Sequence, residues 1–190
     1  MTRWVAATLL GVLALSSCAS QRGANDADVE FATSMIEHHA QAIEMANYTI
    51  GREGVDPRIA DLAQQVRIGQ TREIDTLSGW LEEWGEPVPE TGFATGDSHS
   101  HSEDSGTPDE HAGMPGMMSE EEMDALAAAA DARFETRWLA MMIEHHRGAV
   151  VMAEDVAEDG DSGAVAELAE SIKADQQGEI ARMRDWLGGA

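Results

Sequence analysis

The chain has 190 residues, 43% of them hydrophobic, which is enough to build one sizeable core in one domain. Thirty-six acidic residues against twelve basic ones give a formal charge of −24, which excludes nucleic acid and anionic membrane surfaces as partners because both require clustered positive charge. The single Cys, at position 18, excludes an internal disulfide and a Cys-based zinc finger, whereas eleven Met and seven His beside one Tyr and three Phe tilt the composition towards metal ligands.

Residues 1–17 read as a secretory signal, with Arg3 as its positive start and an apolar run from Val5 to Leu15 that is too short to span a bilayer. The run ends Leu15-Ser16-Ser17-Cys18. This resembles the bacterial lipobox, in which the Cys is acylated and becomes the new N-terminus; the alternative is an ordinary cleaved signal with a chance Cys. The expected protein is therefore extracytoplasmic and lipid-anchored to the membrane through Cys18, with residues 18–26 as a tether.

Beyond the tether the chain repeats itself. Residues 35–46 read MIEHHAQAIEMA and residues 142–153 read MIEHHRGAVVMA, an offset of 107. A second block follows each at an offset of 106, where Leu62, Val66, Gln70, Glu73, Ile74, Trp80 and Leu81 meet Leu168, Ile172, Gln176, Glu179, Ile180, Trp186 and Leu187. Apolar residues recur at helical spacing in every block, with no alternating β-rich run. Helices are predicted near 27–50, 57–84, 120–158 (broken near Asp131) and 163–187. Asp56-Pro57 and the Ser119/Glu122 capping box mark starts, and Gly51, Gly54, Gly85 and Gly160 mark ends.

Two helical hairpins that each expose an apolar face bury them against one another, so the expected fold is an all-α four-helix bundle. It forms a single domain over 27–190: repeat one at 27–85, a long flexible His/Met-rich linker at 86–118, and repeat two at 119–190.

With Met35 at zero on a helical wheel of about 100° per residue, His38 falls near −60°, His39 near +40° and Met45 near −80°, while Glu37 and Glu44 fall opposite. Met142, His145, His146 and Met152 repeat the arrangement, and Ala42 and Ala149 keep the middle of that face small. On the partner helices Gln70, Glu73, Gln176 and Glu179 lie within the apolar arc, where polar groups need partners. An imidazole that ligates through one nitrogen offers the other to a carboxylate or carbonyl, a role these four could fill. Imidazole with thioether suits Cu(I) and, through His, Cu(II) or zinc. The alternative is a buried His–Glu–Gln network with no metal.

The linker carries His99, His101, His111, Met114, Met117 and Met118 in a Gly-, Ser- and acid-rich stretch. Its His-x-His and Met-x-x-Met spacings let a short loop wrap one ion; the alternative is an acidic linker whose Met cluster docks on the bundle.

The doubled His-His motif, the Gln-x-x-Glu-Ile steps, the Trp-Leu ends and the MPGMM segment together resemble the bacterial secreted family called domain of unknown function 305, over roughly residues 26–187. The resemblance implies a ferritin-like bundle and, from some members, copper binding in the cell envelope. Position by position it implicates His38, His39, Met45, His145, His146 and Met152, with Met35 and Met142. One departure is Asp28 before Phe31 where the second half has Glu135 before Trp138.

Three functions follow as expectations. The first is a non-catalytic lipoprotein that sequesters or relays copper, with a copper-handling envelope protein as a further partner. The second is a ferritin-like di-metal oxidase, disfavoured because the chain has no Glu-x-x-His. The third is an envelope interaction module whose His network is structural.

Overall fold

The computed structural model describes residues 23–91 and 113–188, which form α1 (Asp26–Asn47), α2 (Pro57–Trp84), α3 (Glu120–Ala127), α4 (Asp131–Asp159) and α5 (Gly163–Gly188), with no strand among the described residues. The helix starts follow from capping chemistry. Asn25 and Asp28 form a reciprocal capping box on α1, Asp56 accepts from Arg58 N–H ahead of Pro57, and Ser119 with Glu122 boxes α3. Gly85 closes α2 in the left-handed conformation, φ 78°, which costs a glycine nothing.

One boundary differs from the sequence expectation, and the break expected near Asp131 is present. It separates two helices, since α3 ends at Ala127 and α4 begins at Asp131. An alanine run has no local reason to stop a helix. Arg52 supplies a tertiary one: its guanidinium donates to the carbonyls of Ala127 (3.4 Å) and Ala129 (2.8 Å) and lies 3.9 Å from the centre of the Phe134 ring. α1 stops at Asn47 rather than 50, where the Thr49 hydroxyl takes the Ala46 carbonyl at 2.8 Å.

α1 packs on α2, α4 packs on α5, and the two hairpins meet through α1 and α4. The core divides into two apolar clusters. The first holds Met45, Leu62, Val66, Leu126, Phe134, Trp138, Met142 and Met183. The second holds Phe31, Met35, Leu77, Leu81, Met152, Val156, Val165 and Ile172. Along α1 the second cluster comes first and along α4 it comes last, so these helices run antiparallel and both His-His pairs fall between the clusters. No helix among the described residues is long and apolar enough to cross a membrane.

The departure at Asp28 and Glu135 has a structural basis. Asp28 is fully buried, and its carboxylate accepts the backbone N–H groups of Asn25 (2.8 Å), Asp161 (3.0 Å) and Ser162 (3.1 Å), the last two at the start of α5. In the other half Glu135 accepts the backbone N–H of Asp56, the cap of α2. Each half thus staples the entering helix of the other, and carboxylates at helix N-termini also meet the favourable end of the helix dipole. The shorter acid fits where Gly160 brings backbone close; a Cβ there would lie 2.6 Å from the Asp28 carboxylate.

Candidate functional site

His38, His39, His145 and His146 are all buried, none more than 1% exposed. The periodicity that puts them inward also turns Glu44 and Glu144 to solvent. Across the α1–α4 contact the His38 and His145 rings lie 3.8 Å apart, centre to centre, tilted by 38°. His39 and His146 flank them at 6.4 and 6.5 Å from their chain neighbours, completing a four-imidazole layer.

The outer imidazoles are oriented by carboxylates. His39 Nε2 donates to Glu73 at 2.7 Å, and His146 Nε2 donates to Glu179 at 2.7 Å. Donation from Nε2 leaves Nδ1 as a bare lone pair on each ring. His38 follows the same pattern with a different partner, since its Nε2 meets the carbonyl of Pro115 at 3.1 Å. Gln70 and Gln176, which the sequence reading grouped with these acids, are buried in the same region, but neither is hydrogen-bonded to an imidazole here. The glutamates lie three residues further along their helices and reach the ring nitrogens instead.

What remains is a concentration of unpartnered buried polar atoms. Nδ1 of all four histidines, Nε2 of His145, both amide atoms of Gln70 and Oε1 of Gln176 have no hydrogen-bond partner. At roughly 1–3 kcal/mol for each such group, leaving eight dry would cost about as much as a domain's entire stability. The five ring nitrogens among these atoms are the ones whose lone pairs a metal ion could take.

Electrostatics keep those lone pairs free. Burial is the main cause that lowers His38 from 6.5 to about 3, reinforced by the neighbouring charge of His39 and opposed by the Pro115 carbonyl. Burial likewise pushes His145 well down, with His38, His146 and His39 adding to it. His146 is lowered by burial, and its bond to Glu179 offsets part of that. These three imidazoles are neutral at pH 7, the form in which imidazole ligates metal.

Four thioethers bracket the layer. Met35 and Met152 belong to the second cluster, Met45 and Met142 to the first, and all four are buried. Among the described residues no three His, Cys, Asp or Glu side chains gather into a metal-holding group. The four layer histidines are no exception, so an ion held here would draw on the thioethers as well as on the imidazoles.

Residues 113–118, given by the sequence to the flexible linker, form a docked turn. Gln41 on α1 clasps it at Met118, donating to the carbonyl at 2.8 Å and accepting the N–H at 2.7 Å. Met118 packs on the first cluster, and Met114 lines a cavity of about 360 Å³ with Met152. Sequence reasoning missed Gln41, Pro115 and Gly148 as partners of this turn. The signal was available: the 107-residue offset sets Gln41 against Gly148, a glycine inside a helix. His99, His101, His111 and Cys18 lie outside the described residues.

The chain matches the family model described as domain of unknown function (DUF305) over residues 28–187. A solved DUF305 fragment from Deinococcus radiodurans is 31% identical, covering 88% of this chain and 99% of that one, with a TM-score of 0.72. CopM in its Cu(II)-bound form is 29% identical over 85% of this chain and 96% of that one, TM-score 0.66, and its Cu(I)-bound form is 26% identical, covering 85% of this chain and 96% of that one, TM-score 0.64. A segment of 56 residues is 38% identical to uncharacterized protein L153 of Acanthamoeba polyphaga mimivirus; it amounts to 30% of this chain and spans about a third, 36%, of that protein's length.

Proposed function

The chain belongs to the DUF305 family, and on that premise we propose that it binds copper without catalysis, holding or relaying the ion through the imidazole layer and its thioethers. The observation that carries this reading is the layer itself, in which buried ring nitrogens stand neutral and unpartnered between four methionines. Thioether with imidazole selects a soft ion such as Cu(I) over the harder cations of carboxylate sites, with zinc a weaker fit. The copper-bound forms of CopM support the same choice of metal.

His38, His39, His145 and His146 would hold the ion, with Met35, Met45, Met142 and Met152 as the thioethers within reach of the layer. Glu73 and Glu179 orient His39 and His146 and make their free nitrogens more basic. Bound copper would supply no turnover; the cargo is the function. With the N-terminal segment ending at Cys18 as a lipoprotein signal, this activity would lie outside the cytoplasm on a lipid anchor, with a copper-handling envelope protein as recipient. His99, His101 and His111, with Met114 and Met117, would serve as an outer capture segment.

The test is an anaerobic titration of the purified protein with Cu(I) against a competing chelator, beside a variant with all four layer histidines changed to Ala. Binding that the variant loses supports the reading. Equal binding by both overturns it and makes the layer a structural network.

A further inference from the structure

The two halves of the layer are not equivalent, although the duplication would make them so. His38 has one ring nitrogen tied to the Pro115 carbonyl of the turn, whereas its counterpart His145 has no bond to the turn and faces the backbone of His38 instead. The asymmetry comes from the turn at Met114–Met118, which lies on one side of the α1–α4 contact.

Its seat is cut to shape. Gly148 and Gly116 meet backbone to backbone: a Cβ at 148 would lie 1.8 Å from the Pro115 oxygen, and a Cβ at 116 would lie 2.7 Å from the Glu144 oxygen. A glycine in mid-helix weakens the helix relative to Ala. α4 carries that cost where α1 carries Gln41, the residue that clasps the turn. At one repeated position, then, one copy grips and the other makes room.

The turn is also thin. His38 is 1% exposed, yet Pro115, whose carbonyl it touches, is exposed. Beside it the cavity shared by Met114 and Met152 runs from a rim bearing the exposed carboxylates of Glu30, Asp155 and Asp159 to the buried Met152 thioether. Carboxylates, thioethers and Pro115 thus line one cavity.

We propose that the Met114–Met118 turn is a latch over the imidazole layer, held shut by Gln41 and by the Pro115 carbonyl on His38, and that soft cations pass beneath it from this cavity. Opening it breaks three hydrogen bonds, two to Gln41 and one to His38, and it uncovers the His38 nitrogen that the carbonyl holds. This proposal rests on the metal-binding reading above and concerns the route rather than the ligands.

A latch changes rates more than equilibria, so the experiment is stopped-flow uptake and release of Ag(I), followed by tryptophan fluorescence in the full chain. Gln41→Ala removes the clasp, and Gly148→Ala displaces the turn. In each variant uptake and release should both quicken by about tenfold, the scale of one or two lost hydrogen bonds, while the equilibrium affinity stays within about threefold. If Gly148→Ala fails to fold, Gln41→Ala decides alone. Uptake that requires the four histidines but proceeds at the wild-type rate in the variants overturns the latch only. Uptake equal in the wild type and the four-histidine variant overturns the binding reading and the latch together.

Discussion

Acidification of the metal-free protein should unfold it earlier than its carboxylates alone would. His38 titrates at about 3 in the folded chain against 6.5 when unfolded, mainly because burial penalises its cation. The unfolded chain therefore takes up this proton first. Stability from keeping His38 neutral is fully present above pH 6.5 and is lost progressively as pH falls towards 3. At about pH 5 protonation of His38 in the unfolded chain alone favours unfolding by roughly 2 kcal/mol. His145 and His146 are lowered as well and act in the same direction. Against a total stability of about 5–15 kcal/mol that is a large fraction.

Urea denaturation with a chelator present, at about pH 7.5 and about pH 5, measures the difference directly. His38→Gln removes the titrating group while its amide can still donate to the Pro115 carbonyl, so the variant should lose about 2 kcal/mol less on acidification than the wild type. Equal losses in the two proteins would refute the claim that His38 is buried neutral, and an unchanged wild type would refute it for the whole layer.

Asp28→Asn keeps one acceptor oxygen for the three backbone N–H groups that converge on Oδ2, but it removes the negative charge and sets an amide NH2 where Oδ1 now lies 3.3 Å from the Ser162 N–H. It should lower unfolding stability by about 2–3 kcal/mol by urea titration. Trp138→Phe keeps the ring in the first cluster and removes the indole N–H that reaches the Met45 carbonyl at 2.8 Å, so a loss of about 1–2 kcal/mol is expected in the same assay. Met35→Leu with Met142→Leu conserves buried volume and should cost less than about 1.5 kcal/mol per site. A fall in Cu(I) affinity by tenfold or more in that double variant would mark the thioethers as ligands, and an unchanged affinity would leave them as packing.

The four long helices and the inward His-His pairs were legible because each rests on periodicity, which a duplicated chain states twice. Glu73 and Glu179 could be placed on the inward arc for the same reason. Features fixed by distant backbone were not legible. A break near Asp131 was expected but its cause was not legible, because the stop after Ala127 depends on Arg52 reaching across from the α1–α2 turn. Asp28 and Glu135 looked like a mismatch when aligned by position; they became one device once their partners were seen to lie in opposite halves. Docking of the linker's Met cluster was legible as an alternative, but its seat on Gln41 and Gly148 was not, since Gly, Pro and Met beside a flexible stretch carry no periodic signal.

Duplication explains why the two kinds of feature separate in this way. A repeated hairpin brings its own inward face to the contact, so the imidazole layer needs nothing beyond two copies of one pattern. The turn lies over one side of the contact and meets one face of each copy, so the sequence can answer it only by breaking the repeat. Gln41 and Gly148 are where it does so, as clasp and as clearance. The position at which otherwise matching motifs diverge, to a gripping side chain in one half and a glycine in the other, thus marks where the turn is seated, while the positions that match build the imidazole layer.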